Sequence, residues 1–292
     1  MDQAEQLRNI IKAHSNQQRP VARVIAVTSG KGGVGKSNTA INLAVQFRKM
    51  GQRVIILDAD FGLANIEIMF GTVPKFNLYD LIYQGKNIQD IITWGPMEVG
   101  FISGGSGIAG MANLSKDYLM LIIQNLVALD AIADIIIVDT GAGISDAVLE
   151  FLVASGEILL VTTPEPTSIT DSYSLLKALN RHHRFQCEAS QIKVIGNKVE
   201  SAEDGMVMFQ KLNTVVSRYL KLPITYLGSI PEDSKLLKAV MQQMPVSIDE
   251  PGAKSTLAYE AIAAALMNRE ENPVLLKRGM AAFFSHIISA KK

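Results

Sequence analysis

The run Gly30-Lys31-Gly32-Gly33-Val34-Gly35-Lys36-Ser37 restricts the possible folds of this chain more than any other stretch. Residues 24–28 before it are apolar and β-rich, and the residues after it repeat their apolar positions at helical period. The run therefore joins a buried strand to a helix. Glycine-rich backbone in that setting can turn its N–H groups inward around phosphate oxygens, because no Cβ obstructs the approach. The helix N-terminus adds partial positive charge at the same place. These eight residues with Asn38 form the candidate nucleotide-binding loop. Lys36 would reach the β- and γ-phosphates, and the Ser37 hydroxyl would hold Mg2+.

Beyond the loop, continuous apolar runs end in turn residues and alternate with helix-period segments. Strands are expected over 54–57, 99–103, 134–139, 158–162, 192–196 and 224–230. Helices are expected over 40–50, 78–83, 88–92, 119–129, 169–180, 206–220, 234–243 and 253–268, with Ser145 capping one more. Residues 61–71 give no clean period. This alternation predicts an α/β fold with a doubly wound, mostly parallel sheet, whose ligands lie at the strand carboxyl ends. With 48% hydrophobic and 19% charged residues, the chain can build a sizeable core. Nothing marks a second globular domain, so the expected organisation is a core over residues 21–270 with an N-terminal helix and linker (1–20) and a C-terminal segment (271–292).

Three aspartates fall at strand carboxyl ends and converge on the loop if the sheet is parallel. Asp139 follows Ile135-Ile136-Ile137-Val138 and is placed to hold Mg2+ with Ser37. Asp58 and Asp60 end another strand, where one could support the metal and the other orient an attacking water. No Ser–His–Asp or Cys–His arrangement offers rival chemistry. A formal net charge of zero argues against a globally basic nucleic-acid binder, and no nucleic-acid partner is expected. The single cysteine, Cys187, excludes an intramolecular disulfide and fits a reducing interior. Met1-Asp2-Gln3-Ala4-Glu5 does not open a secretory signal, and no apolar run reaches bilayer-spanning length, so a cytoplasmic protein is expected.

At this point the sequence resembles a family. Lys31-Gly32-Gly33-Val34-Gly35-Lys36-Ser37 is similar to the deviant Walker A motif of the MinD/ParA-type ATPases, with its additional early lysine. Asp58-Ala59-Asp60-Phe61-Gly62-Leu63-Ala64-Asn65 resembles their switch I, Asp139-Thr140-Gly141-Ala142-Gly143 their switch II, and Ile230-Pro231-Glu232-Asp233 their nucleotide-base loop. The resemblance runs in order over residues 22–270. It implies an ATP-dependent homodimer with nucleotide sandwiched at the interface, in which Lys31 crosses to the partner's phosphates. Lys36 stays on its own subunit's phosphates, and Asp60 positions water. Asn197, Pro231 and Glu232 would contact adenine. Asn197-Lys198-Val199-Glu200 approaches the guanine motif N-K-x-D, but the longer Glu200 side chain would misplace the carboxylate, which favours adenine.

The two ends carry further signals. In residues 2–14, Ala4, Leu7, Ile10 and Ile11 share a helix face before Pro20 breaks the pattern, which fits either a helix packed on the core or a docking peptide. Asp2-Gln3-Ala4-Glu5-Gln6-Leu7-Arg8 resembles the N-terminal peptide of the flagellar MinD-like regulators (the FlhG, YlxH and FleN group). That resemblance implies that Gln3 and Arg8 stimulate the signal-recognition-type GTPase FlhF, and that flagellar C-ring proteins are partners. At the other end, Met280, Phe283, Phe284, Ile287 and Ile288 form an i, i+3, i+4, i+7, i+8 stripe between lysine- and arginine-bearing flanks. It reads as a last helix docked on the core or as an interfacial helix on anionic membrane lipids. Its position beyond Glu270-Glu271-Asn272-Pro273 favours the membrane.

The expected function is a MinD-like ATP hydrolase switch regulating flagellar number and placement, reversibly peripheral on the inner face of the cell membrane. Division-site positioning, a metabolic nucleotide-dependent enzyme on the same core, and a scaffold that only binds nucleotide are the alternatives. The N-terminal peptide speaks against the first, and Lys31 with Asp60 against the last.

Overall fold

The computed structural model describes residues 21–60, 65–104 and 125–268, together with Gly279, Met280 and Phe283. Among them, eight strands form one sheet. They are β1 (Arg23–Ser29), β2 (Val54–Ala59), β3 (Thr93–Trp94), β4 (Gly100–Ile102), β5 (Ile135–Ala142), β6 (Glu157–Thr162), β7 (Gln191–Val199) and β8 (Thr225–Pro231). The order is β3-β4-β2-β5-β1-β6-β7-β8, parallel throughout except that β3 runs antiparallel to β4. That two-residue edge strand is too short to leave a sequence pattern, and it was not expected. The helices are α1 (Lys36–Lys49), α2 (Asn65–Phe70), α3 (Leu78–Tyr83), α4 (Ile88–Ile91), α5 (Asp146–Ala154), α6 (Pro166–Arg181), α7 (Ala202–Tyr219), α8 (Ser234–Met241), α9 (Val246–Asp249) and α10 (Lys254–Met267). Most lie within a few residues of their expected spans. The helix expected over 119–129 and the linker after 268 fall mainly outside the described residues.

The central strands bury both faces, which is why they read as unbroken apolar runs. Ile25, Val27, Ile135 and Ile137 point to the side covered by α1 and α10, where Phe47, Tyr259 and Ile262 fill the core. Val24, Ile136 and Val138 point to the opposite side, with Leu126, Leu129 and Phe151. On that side, α5, α6 and α7 cover β6 and β7 through Leu152, Leu175, Leu176 and Leu212. Ser145 caps α5 by accepting from the Val148 N–H, as its position before the helix suggested.

At the amino-terminal ends of the strands, away from the loop, Glu157 and Lys193 are buried and joined at 2.8 Å. The Arg23 guanidinium also pairs with Glu157 and donates to the Leu266 carbonyl at the end of α10. Burial pushes the Glu157 carboxyl up, but Arg23 and Lys193 outweigh it and hold it below its ordinary value. This charged knot binds β1, β6, β7 and α10 together at the end opposite the functional site.

Candidate phosphate-binding site

The loop between β1 and α1 lies at the middle of the sheet, beside the carboxyl ends of β5 and β6. Gly35 precedes α1 with φ +92°, and a Cβ there would collide with the Asn197 amide. Glycine is required at Gly35 on both counts. Lys36 opens α1 and is buried, and its Nζ donates to Asp139 Oδ1 at 2.8 Å. The Ser37 hydroxyl lies 3.4 Å from the Lys36 ammonium.

The parallel ladder sets Asp139 directly between Val27 of β1 and Asp58 of β2. Two carboxylates thus share one buried corner. Burial and the Asp139 charge push the Asp58 carboxyl up to about 7. Burial also raises Asp139 above its ordinary value, although Lys36 opposes the shift. One ammonium for two buried carboxylates leaves the corner short of positive charge. Asp139 Oδ2 has no hydrogen-bond partner among the described residues. A divalent cation fits this corner, with Ser37, Asp58 and Asp139 to hold it directly or through water. No group of three His, Cys, Asp or Glu with metal-binding geometry occurs among the described residues. Such a cation would therefore depend on phosphate oxygens as well, as Mg2+ commonly does.

Asp60 stands just past β2. Its N–H donates to Asp58 Oδ1 at 3.1 Å, and its Oδ2 accepts from Asn65 Nδ2 at 3.5 Å. Its carboxylate approaches Gly141 of β5, where a Cβ would lie 3.7 Å from Asp60 Oδ1. Asp60 is thus shared between the two segments that resemble switches, and Phe61 to Ala64 lie outside the described residues.

Lys31 points elsewhere. Its Nζ donates to Glu165 Oε2 at 2.8 Å and to Thr167 Oγ1 at 2.9 Å, at the start of α6. The Lys31 ammonium holds the Glu165 carboxyl below its ordinary value. Neither Glu165 nor Thr167 was singled out from sequence. Their position just after the 158–162 run, at a strand carboxyl end, was the available signal.

Asn197, Pro231 and Glu232 lie at the ends of β7 and β8: Asn197 pairs in register with Ile230, and Val199 with Pro231. The Glu232 N–H donates to the Val199 carbonyl at 2.9 Å. Asn197 Nδ2 donates to the Val34 carbonyl at 2.7 Å, and its Oδ1 accepts from the Lys198 N–H. Asn197 therefore braces the loop itself.

The two terminal signals meet different ends. Gln3 and Arg8 lie outside the described residues, as do Phe284, Ile287 and Ile288. Met280 and Phe283 are buried in the core cluster of β2 and β5, and Phe283 stacks on Phe151 with centroids 5.9 Å apart. The Met280 N–H donates to both Asp130 carboxylate oxygens (3.0 and 3.1 Å), and the Gly279 N–H donates to the Ala22 carbonyl. The first two members of the apolar stripe are covered by protein here. No described helix is long and apolar enough to cross a membrane.

Comparison with known proteins agrees with this geometry. The ParA family model, described as an NUBPL iron-transfer P-loop NTPase, matches residues 20–267. The antiactivator FleN of Pseudomonas aeruginosa is 41% identical over 241 residues, 82% of this chain and 85% of FleN. The flagellum site-determining protein YlxH of Helicobacter pylori is 32% identical over 270 residues, covering 91% of this chain and 90% of YlxH. Among solved structures, the septum site-determining protein MinD of Pyrococcus horikoshii, complexed with Mg-ADP, superposes with a TM-score of 0.66 at 22% identity. That match covers 85% of this chain and 96% of MinD.

Proposed function

Because the chain belongs to the ParA/MinD family of P-loop NTPases, we propose that it is an ATP hydrolase, converting ATP to ADP and phosphate, that works as a nucleotide-switched homodimer regulating flagellar number and placement. The observation that carries this reading is the position of Lys31. Lys36 alone faces the buried acidic corner, while Lys31 is tied at the surface to Glu165 and Thr167. A second lysine held away from its own loop is available to another subunit. Charge delivered only in the dimer would stabilise the transition state without tightening ground-state binding in the monomer.

In that dimer, Val34, Gly35 and the other loop amides hold the phosphates, and Asp60 orients the attacking water from its place beside Gly141. Asn197, Pro231 and Glu232 border the adenine. When bound, Mg2+ held through Ser37, Asp58 and Asp139 neutralises charge on the phosphates. The flagellar assignment is supported by the similarity to YlxH, which is named a flagellum site-determining protein, and the regulatory one by the similarity to the antiactivator FleN. On this reading Gln3 and Arg8 act on the GTPase FlhF, and C-ring proteins contact the core. Met280 and Phe283 are covered in the monomer, and on this reading the tail is released to anionic lipids from the ATP dimer. Two tails on one dimer would bind far more tightly than one.

The test is the ATPase rate against protein concentration. A dimer-completed site predicts that rate per subunit rises with concentration and then saturates. A rate per subunit that is flat over that range would show a self-sufficient monomer and end the proposal.

A further inference from the structure

The end of β7 grips the phosphate loop in a way the nucleotide-base assignment does not explain. Lys198 has φ +55°, in the left-handed region, although it carries a full side chain. That conformation costs a lysine energy that glycine would avoid. It coincides with an irregularity in the β7–β8 ladder between Asn197 and Val199. The consequence is that two successive residues face the same loop. Asn197 Nδ2 donates to the Val34 carbonyl at 2.7 Å, and Lys198 Nζ donates to the Gly33 carbonyl at 3.0 Å.

These two carbonyls belong to the peptide units that carry the Val34 and Gly35 N–H groups. In a trans peptide the C=O and N–H point in opposite directions. Pulling both oxygens outward therefore drives both N–H groups toward the inside of the loop, where a phosphate would lie. Lys198 also adds to the positive charge around Glu165, the carboxylate that holds Lys31.

We propose that Lys198 is a positioning residue for nucleotide binding, which with Asn197 fixes the Val34 and Gly35 peptide planes in their phosphate-receiving orientation before ligand arrives. This rests on the proposed phosphate-binding role of the loop. It assigns Lys198 to the loop backbone, where the sequence had suggested only a partial likeness to a base-reading motif. The left-handed strain is kept because it sends consecutive side chains to consecutive carbonyls.

The experiment titrates the full chain with Mg-ADP by calorimetry and records the Val34 and Gly35 amide resonances of the nucleotide-free protein. Wild type is compared with Lys198→Ala, Lys198→Gly and Lys198→Arg. Losing a charge-assisted hydrogen bond that preorganises the loop should weaken Mg-ADP about tenfold in the alanine variant and move both amide resonances. Lys198→Gly relieves the backbone strain but lacks the ammonium, so it should bind as weakly as Lys198→Ala while melting no lower than wild type. Lys198→Arg should restore most of the affinity. Wild-type affinity in Lys198→Ala with unmoved Val34 and Gly35 resonances would overturn the proposal. So would a loss that disappears at about half-molar salt, which would make Lys198 only a screened surface charge. A wild-type chain that takes up no Mg-ADP would instead defeat the phosphate-binding reading itself, and that result is distinguishable.

Discussion

Gly279 is where the buried Met280 and Phe283 can be released without altering any residue of the apolar stripe. It sits at φ +81°, and a Cβ there would overlap Val21 Cγ1 and stand 2.8 Å from Asp130 Oδ2. Gly279→Ala should therefore undock the segment for separable reasons. Holding a non-glycine residue in the left-handed region costs about 1–2 kcal/mol. Crowding the Asp130 carboxylate weakens its bond to the Met280 N–H, worth about 1 kcal/mol. Alanine also favours helix in the released tail by about 1 kcal/mol relative to glycine. Val21 is exposed enough to rotate aside, so its overlap is left out of the sum. The total, about 3 kcal/mol, shifts the docking equilibrium on the order of a hundredfold. A tail that is free in the ADP state about one time in a hundred would then be free about half the time. Co-sedimentation with anionic vesicles in Mg-ADP is the assay, with hydrogen exchange at the Met280 amide as the control for undocking. Vesicle binding in ADP should approach the level that wild type reaches in ATP. Accelerated exchange with unchanged vesicle binding would refute the link between docking and membrane attachment, and unchanged exchange would refute the strain argument.

Three further outcomes are expected. Asp60→Ala should bind ATP and dimerise but hydrolyse at least a hundredfold more slowly, on the order expected for a group that acts in the transition state, and accumulate the dimer seen by light scattering. A variant that stays monomeric in ATP would make Asp60 structural. Glu157→Gln should destabilise the core by about 3–5 kcal/mol in urea unfolding, because it strands the buried Lys193 charge. Since the folded Glu157 carboxyl lies below its unfolded value, its contribution is present above the unfolded pKa and is lost as pH falls through the folded one. Wild type should lose that increment on acidification below about pH 4.5, whereas Glu157→Gln lacks it throughout. A peptide of residues 1–20 should raise the GTPase rate of FlhF, with Gln3→Ala weakening the effect. If removing those residues instead lowers the melting temperature of the core and leaves FlhF stimulation unchanged, they pack on the core.

Much of the site was legible because it is local. The loop is one contiguous run, and its strand and helix flanks are adjacent in sequence. Asp58 and Asp139 could be placed at strand ends because buried parallel strands leave continuous apolar runs. Their direct adjacency could not be read, since it depends on β5 inserting between β1 and β2. The partners of Lys31 were invisible for the same reason: Glu165 is distant in sequence and meets it only because β6 lies beside β1. Asn197 was expected at the base, but that its side chain and that of Lys198 both reach the loop backbone could not be read. A partial motif match carries no information about a left-handed residue that redirects the chain. The 65–70 helix was missed because its few turns lie in a stretch without period. The stripe beginning at Met280 is the opposite case. Its periodicity was clear, but an apolar helix face looks the same whether protein or lipid covers it.

The claim at the centre of this account is that ATP joins two copies of the chain through Lys31. Sedimentation velocity of wild type and Lys31→Ala tests it, each with Mg-ADP and with a non-hydrolysable Mg-ATP analogue, with bound nucleotide measured in the same fractions. The account predicts that wild type is monomeric in ADP and dimeric in the analogue, while Lys31→Ala binds both nucleotides and remains monomeric. It would be contradicted by a Lys31→Ala variant that dimerises as wild type does, or by wild type that carries the analogue and stays monomeric.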